Sequence, residues 1–209
     1  MKTGELWSSH DLGAWNAALK KYWALVKPAN LVIEQSLNTL DINRIRRFSE
    51  SQWLEFLLEE YFRWKYTAPN RYITTTNQLK NYVAAGMLND IDATRIALLG
   101  FPPENIKYGL VIATRIPGLG VAGASGLLSL MYPEHYATVD QFVVLALRRV
   151  NGLSRATAIA KMKPENLSIR DGVVLIDALA EKAAELNQLP GFRGWTPRKL
   201  DMVLWACRT

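Results

Sequence analysis

Apolar residues in this chain recur at three- and four-residue spacing almost from end to end, and that period limits the fold more than any single motif does. "SESQWLEFLLEEYFRWKY" sets Trp53, Phe56, Leu57, Tyr61 and Trp64 along one helical face, with Ser49 or Ser51 available as N-cap. "DATRIALLG" begins on an acidic cap and stops at Gly100, and the prolines of "PPENIKYGLVIATRI" suit a first helical turn. Farther on, "VAGASGLLSLMY", "DQFVVLALRRV" before Asn151-Gly152, "SRATAIAKM" before Pro164 and "IRDGVVLIDALAEKAAEL" read as helices. "TPRKLDMVLWACR" adds a last one, capped by Thr196 with Pro197 at the first helical position. Only "GLVIATRI" and "HYATVD" are short and β-branched enough to pass for strands. The expected class is all-α.

With 209 residues, 49% hydrophobic and 21% charged, the chain can bury a core of one large or two small domains and lacks the composition of a disordered protein. Its net charge of +6 favours a polyanionic partner such as nucleic acid. A lone cysteine, Cys207, excludes an intrachain disulfide and any thiolate-ligated zinc or iron–sulfur cluster built by this chain alone, which suits a reducing, cytoplasmic setting. His10 and His135 have no metal-like companions, so no metal site is expected. "MKTGELWSSHDLGAW" has no apolar core of a leader peptide, and the longest uncharged run, 116–133, holds two prolines and four glycines. The expectation is a soluble monomer away from membranes, nucleoid-associated if the source is a bacterium.

One stretch stands apart, "IPGLGVAG" at 116–123. As a pattern it is G-x-G-x-x-G, with Asp140 at about the distance where a dinucleotide fingerprint expects an acid. Against that, Pro117 stands where a strand should run straight into its turn, the chain supplies too few other strands, and Asp140 precedes a helix rather than a loop. A second reading is a helix–helix turn whose glycines only permit close packing. A third is a phosphate-binding hairpin. Pro117 ends one helix, Gly118 and Gly120 turn backbone amides outward, and the next helix offers its N-terminal N–H groups and dipole.

The residues "IPGLGVAGASGLLSLMYPEHYATVD" resemble the helix-hairpin-helix DNA glycosylase superfamily. Its hairpin L-P-G-V-G is followed by a small-residue helix and, after a short loop, by a V-D or L-D pair holding the catalytic aspartate. Ile116 to Gly120 match the hairpin and Val139-Asp140 match the pair, without gaps between them. Within the superfamily the stretch is most similar to the adenine mismatch glycosylases. The likeness covers 116–150, weakens over "FRWKYTAPNRY" and "TPRKLDMVLWA", and is absent from 1–45. It implies two helical lobes around a catalytic cleft, with a barrel lobe at 49–136 and a second lobe from 1–48 plus 137–209. It also implies double-stranded DNA as partner, with Pro117, Gly118, Leu119 and Gly120 at a phosphate. No cofactor is implied beyond a monovalent cation at the hairpin, which stays open.

In strand-cleaving members a lysine two residues past the hairpin's last glycine forms a Schiff base with the sugar. Here that residue is Ala122, 18 positions before Asp140 as in the family, so the implied enzyme is a monofunctional glycosylase using water unless Lys107 or Lys65 reaches in from elsewhere. Asp140 would stabilise the oxocarbenium-like sugar or activate the attacking water. Gln141, Glu59, Glu60 and Lys107 are candidates to assist, with no choice among them. Base flipping calls for an aromatic pocket. "YFRWKYTAPNRY" offers Trp64, Tyr66 and Tyr72 for the base and Arg63, Lys65 and Arg71 for phosphates. Arg193, Arg198 and Lys199 are further phosphate contacts or solvated surface. Excision of hypermodified phage bases in antiviral defence, and a binding module that has lost the chemistry, are the alternatives.

Overall fold

The computed structural model describes residues 2–208, and among them every regular element is helical. In chain order these are α1 (Thr3–Trp7), α2 (Leu12–Leu25), α3 (Pro28–Asn38), α4 (Ile42–Arg46), α5 (Glu50–Glu55) and a π-helical turn (Phe56–Tyr61) that runs into α6 (Phe62–Lys65). Then come α7 (Pro69–Ala84), α8 (Leu88–Gly100), α9 (Ile106–Ala113), α10 (Val121–Met131), α11 (Gln141–Leu147), α12 (Ala156–Lys161), α13 (Ile169–Gln188) and α14 (Pro197–Ala206). Neither strand candidate is a strand. "GLVIATRI" lies mostly in α9, where Leu110, Ile112 and Ala113 turn into the core, and "HYATVD" is irregular backbone leading into α11.

The caps explain several boundaries. Ser49 accepts from the Gln52 N–H while the Gln52 side chain accepts from the Ser49 N–H, a reciprocal box that starts α5. Thr196 caps α14 with Pro197 at its first position, as the sequence suggests. Two starts differ from expectation. Pro102 and Pro103 precede α9, which is opened by Asn105 accepting from the Tyr108 N–H at 3.2 Å. Asp92 is no cap; α8 begins at Leu88, and Asp92 is buried inside it, 2.6 Å from Arg95.

One apolar cluster runs through residues of both expected lobes, from Leu6 and Trp15 through Trp53, Tyr61, Phe62 and Leu110 to Leu127, Leu179 and Val203. Each such side chain contributes about 1.5–3 kcal/mol on burial. Helix α10 is buried on nearly every side, packed against α9, α13 and α14, while α14 also packs on α2 and α11. Its small residues permit this: a Cβ at Gly123 would fall 2.5 Å from Tyr66 Oη, so that glycine serves packing.

Gly118 turns the chain between α9 and α10 with φ of +90°, and an added Cβ would meet Thr75 Cγ2 of α7 at 2.6 Å and Thr75 O at 3.0 Å. Gly118→Ala therefore combines a left-handed strain with a clash against backbone, and is expected to destabilise by about 2–4 kcal/mol. Gly120, at the N-cap of α10, has open space around it. Gly120→Ala serves as the control in thermal denaturation, expected to lower the midpoint by less than about 3 °C.

Candidate active site

The small-residue helix α10 holds the segment that carries the carboxylate. Ser125 Oγ accepts from the Val139 N–H at 3.0 Å, and Ser129 Oγ meets Thr138 Oγ1 at 3.1 Å. From the other side, Asp201 of α14 accepts from the Thr138 N–H at 2.6 Å. These bonds replace the ladder that a strand would have made. Asp140 emerges from this clamp as the N-cap of α11, its Oδ1 accepting from the Phe142 N–H at 2.9 Å and the Val143 N–H at 3.4 Å. Oδ2 faces the amine of Lys65 at 3.7 Å.

Lys65 closes α6 and lies four residues past the fully buried Tyr61, on the same helical face. Its stem crosses α10 where Gly126 leaves room: a Cβ there would lie 2.9 Å from Tyr61 Oη, 3.3 Å from Lys65 Cδ and 3.4 Å from Trp64 Cζ3. The side chain is 11% exposed. Burial pulls its amine below the ordinary lysine value, against the opposing attraction of Asp140 and then Asp201.

Asp140 and Lys65 line a cavity of about 320 Å³. Sites for small organic ligands start at roughly 300 Å³. Tyr22, Trp64, Phe142 and Trp205 supply aromatic wall, and Lys27 and Arg208 stand among the charged lining residues. Part of the wall is a polar and ionic network contributed by α2, α3, α6 and α14. Glu34 accepts from Tyr22 Oη at 2.5 Å, Trp64 Nε1 at 2.6 Å and Arg198 at 3.1 Å; Arg198 also donates to Asp201 at 2.7 Å. The guanidinium lies 5.3 Å from the Trp64 ring centroid. Burial raises the Asp201 carboxyl to about 6, although Arg198 beside it pulls the other way. Burial also opposes the charge on Arg198, but Asp201 and Glu34 hold it above its ordinary value.

Of the residues singled out by sequence, Asp140, Lys65, Trp64 and Arg198 meet at this cavity. Lys65, a candidate either for DNA phosphates or for reaching in beside Asp140, lies with its amine 3.7 Å from the Asp140 carboxylate. The other candidates lie elsewhere. Glu60 is paired bidentately with Arg44, Glu59 pairs with Arg63 at 2.5 Å, and Gln141 and Lys107 are exposed and outside the cavity lining. Tyr66 is outside the cavity lining; its hydroxyl donates to Gly118 O at 3.2 Å and burial lifts it to about 12. Tyr72 is likewise outside the lining. Leu119 is buried in the core and its N–H donates to Ile116 O, so this residue has neither side chain nor amide free for a phosphate. Arg198 is buried, which removes it from the surface cations, whereas Arg63, Arg71 and Arg193 are exposed.

Glu34, Asp201 and Tyr22 were missed. Their only sequence trace is a charged or polar residue on a largely apolar helical face, as with Asp201 three and four residues before Leu204 and Trp205. Among the described residues no group of three or more His, Cys, Asp or Glu side chains is arranged to hold a metal, and no helix is long and apolar enough to cross a membrane. Comparison with protein-family models, curated proteins and solved structures gave no match to this chain.

Proposed function

We propose that the protein is a DNA glycosylase of the two-lobed helix-hairpin-helix type, hydrolysing the N-glycosidic bond of a base flipped out of double-stranded DNA. One observation carries the reading. The carboxylate that follows the glycine hairpin opens, through a single oxygen, into an aromatic-walled cavity large enough for a small organic ligand. Departure of a base leaves positive charge on C1′ and the ring oxygen of the sugar, and a carboxylate held by two backbone N–H groups is positioned in advance to stabilise it. The aromatic walls suit a planar base, and Glu34, Arg198 and Asp201 offer a polar edge.

On the DNA side, the turn at Gly118 and the N-cap Gly120 of α10 present the hairpin to a phosphate, and the exposed Arg63 and Arg71 add cationic surface. No base readout is needed for this contact, so affinity falls steeply with salt.

The test is an excision assay over duplexes carrying damaged, mismatched or hypermodified bases, followed by alkali treatment to cleave abasic sites. The expected result is alkali-dependent cleavage at one class of base, and the class separates repair from antiviral defence. Salt-sensitive binding with no abasic product from any duplex would instead identify a binding module.

A further inference from the structure

The wall of the cavity carries more hydrogen-bond donors than it can use. Both oxygens of Glu34 are taken, Oε1 by Tyr22 and Arg198 and Oε2 by the Trp64 indole N–H. Both oxygens of Asp201 are taken as well, Oδ1 by Arg198 and Oδ2 by the Thr138 N–H. Tyr22 and Trp64 give their only polar hydrogens to Glu34 in doing so. Two donors are left over. Arg198 Nε is buried and has no acceptor among the described residues. Lys65 Nζ makes no hydrogen bond among them either; Asp140 Oδ2, at 3.7 Å, is beyond bonding distance. The amine keeps N–H groups to donate whether charged or neutral. The charges lean the same way, with Lys27, Lys65, Arg198 and Arg208 lining the cavity against Glu34, Asp140 and Asp201. Of the lining carboxylates only Asp140 has an oxygen without a donor, and the proposed reaction reserves that oxygen for the sugar. Such a wall is completed by an acceptor. A carbonyl oxygen gives Lys65 the partner it lacks, whereas an amino group sets N–H against N–H and leaves both unpaired.

We infer that the cavity selects bases whose inner edge carries a carbonyl oxygen, with Lys65 donating to that oxygen, and rejects bases that carry an exocyclic amino group in its place. The substrate class is then the oxo bases, such as uracil and hypoxanthine, rather than cytosine and adenine. This rests on the proposed glycosylase reading, and it departs from the adenine chemistry of the branch that the hairpin resembles. Lys65 forms no covalent bond in the reaction. As the bond from C1′ to the base nitrogen breaks, its electron pair leaves with the base, and the carbonyl oxygen gains negative charge. The hydrogen bond from Lys65 to that oxygen strengthens in the transition state, so selection acts on the rate as well as on binding. Water then bonds to C1′ and gives up the proton that the free base takes.

The experiment compares duplexes that differ in one exocyclic group at one position, hypoxanthine against adenine and uracil against cytosine, each pair opposite the same partner base. Single-turnover excision by the full chain, read after alkali, should be about a hundredfold faster for the oxo member of each pair. Oxo and amino bases also differ in how readily they leave, so the decisive quantity is the change in that ratio on substitution. Lys65→Met, which keeps the length of the stem and removes the donor, should lower the ratio by about tenfold or more. Lys65→Arg, which keeps donors, should hold it within about threefold, and Lys107→Met, outside the cavity lining, within about twofold. Calorimetric titration with free hypoxanthine and free adenine repeats the comparison without any chemistry. Hypoxanthine should bind about tenfold more tightly, and Lys65→Met should abolish the difference. A ratio unmoved by Lys65→Met, a ratio lost equally in Lys65→Arg, or tighter binding of adenine overturns the inference. No abasic product from any duplex, with the preference for hypoxanthine intact, defeats the glycosylase reading and leaves the selectivity standing. Excision confined to amino bases defeats the selectivity and leaves the glycosylase reading, and neither excision nor binding defeats both.

Discussion

Asp140→Asn is expected to lower base excision by about 10²–10³-fold while changing DNA affinity by less than about threefold. The substitution is selective for a structural reason. Asn caps a helix about as well as Asp, and its side-chain oxygen can accept from the Phe142 and Val143 N–H groups as Oδ1 does now. Helix α11 and the clamp from Ser125 and Asp201 therefore stay in place, and what disappears is the negative charge facing Lys65. On the proposed reading, affinity is set mainly by phosphate contacts at the hairpin and the surface arginines, so it should barely move. Single-turnover excision at saturating enzyme, beside a binding titration, separates the two quantities. Turnover retained within tenfold would remove Asp140 from the chemistry and leave it as a helix cap.

The same residue shows what a sequence reading can reach. Asp140 was legible because its neighbours are local: a hairpin, a small-residue helix and a V-D pair within 25 residues. Ser49, Thr196 and Pro197 were legible for the same reason, since a cap is settled within one helical turn. Lys65 shows how a local signal can be outweighed. It continues the apolar stripe four residues after Tyr61, yet it sits among arginines and aromatics that suggest a solvated, phosphate-seeking face. Its burial depends on Gly126, far along the chain on α10. The cavity wall was further out of reach. Glu34 and Arg198 are 164 residues apart, and neither α3 nor α14 alone indicates that the other will neutralise its charge. Glu59 and Glu60 failed for the opposite reason: they adjoin the aromatic segment, but each has its own arginine and neither lines the cavity.

Arg198→Met should be among the most destabilising single changes in the molecule, at about 3–5 kcal/mol near neutral pH. Met roughly fills the space of the arginine stem, so the loss is that of charge and hydrogen bonds rather than packing. Glu34 and Asp201 are 9% and 5% exposed at the side chain, and both would be left as buried carboxylates without the cation they share. The deficit should depend on pH in a defined direction. Burial holds folded Asp201 at about 6 against 3.8 for the free group, so between those values the folded state binds more protons than the unfolded one. Its contribution to stability is full below 3.8 and is lost as pH rises through about 6. Removing Arg198 takes away the attraction that lowers this value, which moves the window upward. Arg198→Met should therefore be most impaired at pH 7 and above, and recover part of its deficit as the medium is acidified toward pH 5. Urea denaturation of both proteins across that range measures it. Adding Asp201→Asn to Arg198→Met should restore about 1–3 kcal/mol at neutral pH, because an uncharged amide replaces the stranded carboxylate and still offers an oxygen to the Thr138 N–H. A deficit that is small, pH-independent and unrelieved by the second change would mean that the network lining the cavity does not depend on Arg198 for its charge balance.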